Sequence, residues 1–118
     1  MALWALWLPL GANAQAPQAL RVVSDDNYPP YLFKGPDGQN QGYLVDLWAL
    51  WEQKTGTPVV LSAINWARAQ QMVLSGEADV IENIFRTPDR EARYLFTAPY
   101  ADLPVAIYAH QSISGIRS

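Results

Sequence analysis

Across residues 44–55 the apolar side chains Leu44, Leu47, Trp48 and Trp51 recur at i, i+3, i+4 and i+7, with Asp46, Glu52 and Gln53 off that face and Gly56 behind. This spacing predicts an amphipathic helix with a glycine stop, its two tryptophans in the core. Residues 20–24 form a short β-branched run that gives way to turn-forming residues and Pro29-Pro30, which suits a first strand ending in a loop. Between that strand and the helix, Tyr31-Leu32-Phe33, the Lys34-Gly35-Pro36-Asp37-Gly38 turn and Gln41-Gly42-Tyr43 predict a small hairpin. A second strand is predicted over 58–64 and a second helix over 66–74, with Asn65 as its cap and Ser75-Gly76 as its stop. Residues 78–81 predict a third strand. Thr87 followed by Pro88 predicts the start of a short helix, and residues 105–109 predict a final strand before a polar tail. Strand-helix-strand-helix-strand implies parallel pairing with right-handed crossovers, an α/β fold.

The first sixteen residues read differently. Residues 2–10 are almost wholly apolar and lead into Ala12-x-Ala14 and Ala14-x-Ala16, the small-x-small pattern of a signal-peptide cleavage site. The run is far short of the roughly 20 residues that a spanning helix needs. No Lys or Arg precedes it, so the true start is expected upstream, and a buried N-terminal strand or helix is the alternative. A signal peptide over 1–16 places the remainder in the periplasm.

Composition then removes whole classes of chemistry. With 8 Lys+Arg against 11 Asp+Glu, a net charge of −3 and no run of like charges, there is no basic stripe for a nucleic acid. The absence of Cys and the single His110 exclude thiol chemistry and a histidine metal cluster, and no cofactor is expected. His110 is expected at the surface.

In open parallel sheets, ligands bind beyond the carboxyl ends of the strands. The loops there carry Asp26, Asn27 and Tyr28; Asn65 and Trp66; and Glu82, Asn83, Ile84, Phe85, Arg86 and Thr87, with Arg90 close behind. Such a set fits a small polar solute with an anionic group. Arg90 can hold a carboxylate as a bidentate pair, while Tyr28 and Trp66 cover apolar parts. Each has a plainer reading: Tyr28 packing its loop, Trp66 in the core, Arg90 as a solvated helix residue. Arg86 and Arg93 read as surface charges. Asp79 and Glu82 point to opposite faces of their strand and make no acid-base pair, and no nucleophile with its base and orienting group is visible.

Four stretches also carry a resemblance: Asn27-Tyr28-Pro29-Pro30-Tyr31; Asp37-Gly38 with Gly42-Tyr43-Leu44-Val45-Asp46-Leu47; Ser75-Gly76-Glu77-Ala78-Asp79-Val80; and Thr87-Pro88-Asp89-Arg90 followed by Phe96-Thr97-Ala98-Pro99-Tyr100. In this order they resemble the family 3 bacterial extracellular solute-binding proteins. The resemblance implies a type II periplasmic-binding-protein-like first lobe, with a largely parallel sheet and flanking helices, in a two-lobed receptor that closes about a hinge. It implies that Tyr28 stacks on the ligand and that Arg90 holds its carboxylate, with Trp66, Asn83 and Phe85 as further candidate ligand contacts. Where the family usually places small hydroxyl residues before that arginine, this chain has Glu82-Asn83-Ile84-Phe85-Arg86, which points to a cationic, aromatic or peptide-like solute, or to a receptor that has left transport.

The expected organisation is a signal peptide over 1–16, the lobe over 17–110, and 111–118 as a truncated crossover to a second lobe. A lobe without its returning segment is expected to bind weakly. Three functions stay open. The first is a periplasmic binding component that delivers a solute to a membrane permease. The second is the extracytoplasmic sensing domain of a signalling protein, such as a sensor kinase or a cyclic-dinucleotide enzyme, which the Trp-rich helix and Phe85-Arg86-Thr87-Pro88 resemble. The third is a periplasmic enzyme on the same fold.

Overall fold

The computed structural model describes residues 16–115, so the expectation of a signal peptide falls outside the described residues except for Ala16. The chain forms two compact units, one ending at Phe85 and the other beginning at Arg86.

The first unit is built around β1 (Leu20–Asp25), which pairs in parallel with β5 (Val59–Ile64) on one side and with β6 (Val80–Ile81) on the other. Between β1 and β5 lie a small antiparallel sheet of β2 (Asn27–Tyr28), β3 (Leu32–Lys34) and β4 (Asn40–Gln41), and helix α1 (Tyr43–Thr55). Helix α2 (Trp66–Ser75) connects β5 to β6. The predicted hairpin, both helices and the first three strands of the parallel reading are therefore present.

Alternation along the strands sorts the core into two clusters. Val23 packs with Ala69 and Ala78, joined by Met72, Val73 and Ile81, beneath α2. Ala63 packs with Leu32 and Leu44, joined by Tyr31, Val45 and Leu61, beneath α1. Since Ser24 is level with Ala63, and Val23 is level with Ile81, the next residues Ser24 and Glu82 stand side by side on the α1 face.

The ends of the helices show why they sit where they do. The first amides of α1 are satisfied by the turn before it: Tyr43 N–H donates to the Pro30 carbonyl at 3.2 Å and Leu44 N–H to that of Tyr31 at 3.1 Å. Gly42 permits this approach, because it has φ 114° and a Cβ there would lie 2.2 Å from the Tyr31 oxygen. Asn65 Oδ1 accepts from the amides of Ala67 and Arg68 at 3.0 and 3.3 Å, and Gly76 closes α2 in the left-handed conformation.

Two expectations are corrected. Leu47 is 40% exposed, because the buried stripe of α1 runs through Leu44, Val45 and Trp48, and Trp51 is half-buried. Residues 105–109 form no strand, and Val105, Ile107 and Tyr108 stand 75%, 89% and 94% exposed. Their composition favours a strand, but no described residue supplies the backbone partner that a strand requires.

The second unit contains α3 (Pro88–Glu91), capped by Thr87, whose hydroxyl accepts from Arg90 N–H at 3.3 Å. Arg86 pairs with Glu91 and Arg93 with Asp89. The Arg86 guanidinium lies 5.8 Å from the Phe96 ring centre, and Phe96 meets Tyr94 edge-on. The two arginines read as surface charges are thus ion-paired, though exposed. His110 is exposed as expected, and its Nδ1 lies 2.8 Å from the Ser112 hydroxyl.

Two substitutions test these placements. Gly42→Ala is expected to cost more than about 2 kcal/mol, since the methyl group needs the Pro30-Tyr31 carbonyls to retreat from α1. Asn65→Ala is expected to cost about 1 kcal/mol by leaving two amides of α2 without their acceptor. Urea unfolding midpoints at unchanged slope measure both; a Gly42→Ala loss below that of Asn65→Ala contradicts the close approach.

Candidate functional site

The carboxyl ends of β1, β5 and β6 lie together because the three strands are parallel and adjacent. Ile64 fixes the first two exits, its carbonyl accepting from Asp26 N–H at 3.0 Å. The chain then folds back: Asp25 Oδ1 accepts from Asn27 N–H at 2.8 Å, and the Asp26 carbonyl accepts from Lys34 N–H at 3.1 Å. This holds Tyr28 at the start of the small sheet, half-buried and stacked on Tyr31 at 5.6 Å between ring centres. Tyr31 in turn meets Tyr43 edge-on at 5.1 Å, so three tyrosines form a continuous aromatic row.

Trp66 opens α2 at the exit of β5 and is half-buried. Asn65, beside it, spends its side-chain oxygen on capping that helix. At the exit of β6, Asn83 takes φ 60°, a left-handed conformation that turns the chain out of the sheet. Its Nδ2 is buried with no hydrogen-bond partner, whereas Phe85 is 44% exposed. Tyr28, Trp66, Asn83 and Phe85 all belong to the first unit; Arg90 belongs to the second, half-buried on α3.

The two carboxylates considered as an acid-base pair have separate environments. Asp79 precedes β6, at the amino end of the sheet, where Arg21 grips it: Nη2 to Oδ1 at 2.7 Å, Nε to Oδ2 at 3.0 Å, with the Arg21 amide on Oδ2 at 2.9 Å. These bonds pull the Asp79 pKa down to about 2. The same guanidinium donates to the Gly76 carbonyl at 3.0 Å, tying the end of α2 to β1. Glu82, at the carboxyl end, is 6% exposed and accepts from Trp48 Nε1 at 2.5 Å. Burial dominates there and raises its pKa to about 7, against the opposing effect of the Trp48 bond.

Glu82 is the notable residue whose burial sequence reasoning passed over. The sequence places it in the loop beyond the third strand and in the stretch that replaces the family's hydroxyl residues, and sets aside its pairing with Asp79; it stands two residues from Val80 and so shares the α1-facing side of the sheet. Its second oxygen and the fully buried Ser24 hydroxyl have no hydrogen-bond partner. Trp48, expected as plain core, is its donor. Among the described residues no group of His, Cys, Asp or Glu could hold a metal ion, and no helix is long and apolar enough to cross a membrane.

Comparison with known proteins gives this arrangement a family. The octopine-binding periplasmic protein of Rhizobium meliloti is 26% identical over 97 residues, which cover 81% of this chain and 33% of that protein. A histidine kinase sensor domain with similarity to periplasmic binding proteins aligns with a TM-score of 0.61 at 27% identity, over 65% of this chain and 34% of its own. An ancestral amino-acid-binding protein, a precursor of cyclohexadienyl dehydratase, aligns with a TM-score of 0.61 at 30% identity, over 70% and 37%. The chain therefore spans about a third of the length of these relatives. Its fold is that of part of a type II periplasmic-binding-protein-like domain. Residues 20–116 match the sequence profile of the bacterial extracellular solute-binding proteins, family 3, and the chain belongs to that family.

Proposed function

We propose that this chain forms most of the first lobe of a periplasmic receptor for a small, polar, amino-acid-like solute, working as the binding component of a membrane transporter. The match of residues 20–116 to the solute-binding family carries this reading. The periplasmic octopine-binding relative supports both the compartment and the class of solute. Tyr28, at the end of the tyrosine row, offers a rigid face on which a solute can stack, and Trp66 and Phe85 offer further apolar cover. Asn83 supplies an amide at the exit of β6, and Arg90 supplies the bidentate donor for a carboxylate. The partners are the solute and a permease.

A second reading has an observation of its own. The likeness to a histidine kinase sensor domain favours an extracytoplasmic sensing domain fused to a signalling module, with the same residues toward the solute. Catalysis is the weaker reading, although one similar structure is a precursor of cyclohexadienyl dehydratase. No nucleophile with a base and an orienting group stands at the carboxyl ends among the described residues, and Glu82 is enclosed.

The test is solute-dependent stabilisation, measured in a chain long enough to supply both lobes. A bound solute raises the melting temperature by mass action. Arg90→Ala is expected to abolish the rise caused by a carboxylate-bearing solute, measured against that variant's own unliganded melting temperature. An undiminished rise removes Arg90 from the site, and no rise with any amino acid, opine or short peptide removes the receptor reading.

A further inference from the structure

Outside the proposed solute contacts, the least ordinary feature of the first unit is the polar group sealed between the sheet and α1. Glu82 ends β6, its amide donating to the Val23 carbonyl at 3.1 Å, which fixes the residue beside β1. Its side chain lies under α1, with Oε2 accepting from Trp48 Nε1 at 2.5 Å. Oε1 is buried without a partner, and so is the hydroxyl of Ser24, the adjacent residue on the same face of β1. The next residue, Asn83, holds φ 60° with its own amide nitrogen buried and unpartnered.

The charges around Glu82 do not neutralise it. On β1, Arg21 is committed to Asp79 and Asp25 to the Asn27 amide. On α1, Glu52 accepts from Val59 N–H, Asp46 is exposed in the first turn and Lys54 lies in the last turn. β5 carries no charged residue, and none of the ion pairs among the described residues includes Glu82. Tyr43, at the start of α1, is the titratable group whose phenol Glu82 influences: burial first, then the charges of Tyr31 and Glu82, hold it above its usual range. A carboxylate here would be a buried anion with one donor, whereas a carboxylic acid carries no charge into the interior.

We propose that Glu82 is an internal proton site that controls the loop leaving β6. With the proton on, the carboxyl stays under α1 on Trp48 Nε1 and anchors residues 82–85; with the proton released to solvent, the carboxylate leaves the interior and draws that loop with it. This inference does not depend on the identity of any solute.

The sign follows from burial. Because the folded state holds the acid's pKa up at about 7, against 4.5 ordinarily, the contribution of Glu82 is complete at acid pH and is lost as pH rises through neutrality. The chain has four glutamates, so labelling their carboxyl carbons gives a direct reading in the full chain by NMR. One carbon, that of Glu82, is expected to titrate near pH 7. The Trp48 indole proton and the backbone amides of Asn83 and Phe85 are expected to shift with that same midpoint. Glu82→Gln removes the step, whereas His110→Gln, at the chain's single histidine, leaves it. Should Glu82→Gln fail to fold, Trp48→Phe replaces it: losing the donor raises the midpoint further. Four glutamates titrating in the acid range overturn the proposal, as does a neutral step that persists in Glu82→Gln or vanishes in His110→Gln. A Glu82 step that leaves the amides of 83 and 85 unmoved overturns its control of the loop.

Discussion

Strand β1 has a parallel neighbour on both sides, and a parallel neighbour cannot be reached by a tight turn. Each return must cross a face of the sheet, so α1 lies on the path from β1 to β5 and α2 on the path from β5 to β6. That requirement places Leu44 and Trp48 against one face and Ala69 and Met72 against the other. It also brings three carboxyl ends together, so Tyr28, Trp66 and Asn83, far apart in sequence, emerge from one edge. The amino edge does a different job. There Arg21 clamps Asp79 and the last turn of α2, a mechanical tie that commits its guanidinium to groups of this chain.

The elements easiest to read from sequence are those with chemical punctuation at both ends. Asn65 and Gly76 bracket α2, Thr87 and Pro88 open α3, and Gly56 closes α1. Periodicity alone does less well. It marks Leu47 as apolar on a helix but cannot say how wide the covered stripe is, and the sheet reaches only to Leu44, Val45 and Trp48. Residues 105–109 show the same limit in a strand: side chains suited to a pleated surface do not make one without a neighbouring backbone.

The candidate site was legible only in part, for a related reason. Loops at strand ends could be named because α/β topology dictates where they fall. The tyrosine row could not be, since the stacking of Tyr28 on Tyr31 depends on the fold of the small sheet. Glu82 carried a usable signal in its two-residue offset from Val80. What sequence could not supply is that Trp48 would reach it from α1, or that Ser24 would stand level with it.

The account rests on the carboxyl edge of the β1 sheet being the face that meets solute. The most direct measurement is to titrate the isotope-labelled protein with amino acids, opines and short peptides while following its backbone and indole NMR signals. The account predicts shifts at the amides of Tyr28 and Asn83 and at the Trp66 indole, with Arg21, Gly76 and Asp79 unmoved. Shifts confined to the Arg21-Asp79 edge would contradict it.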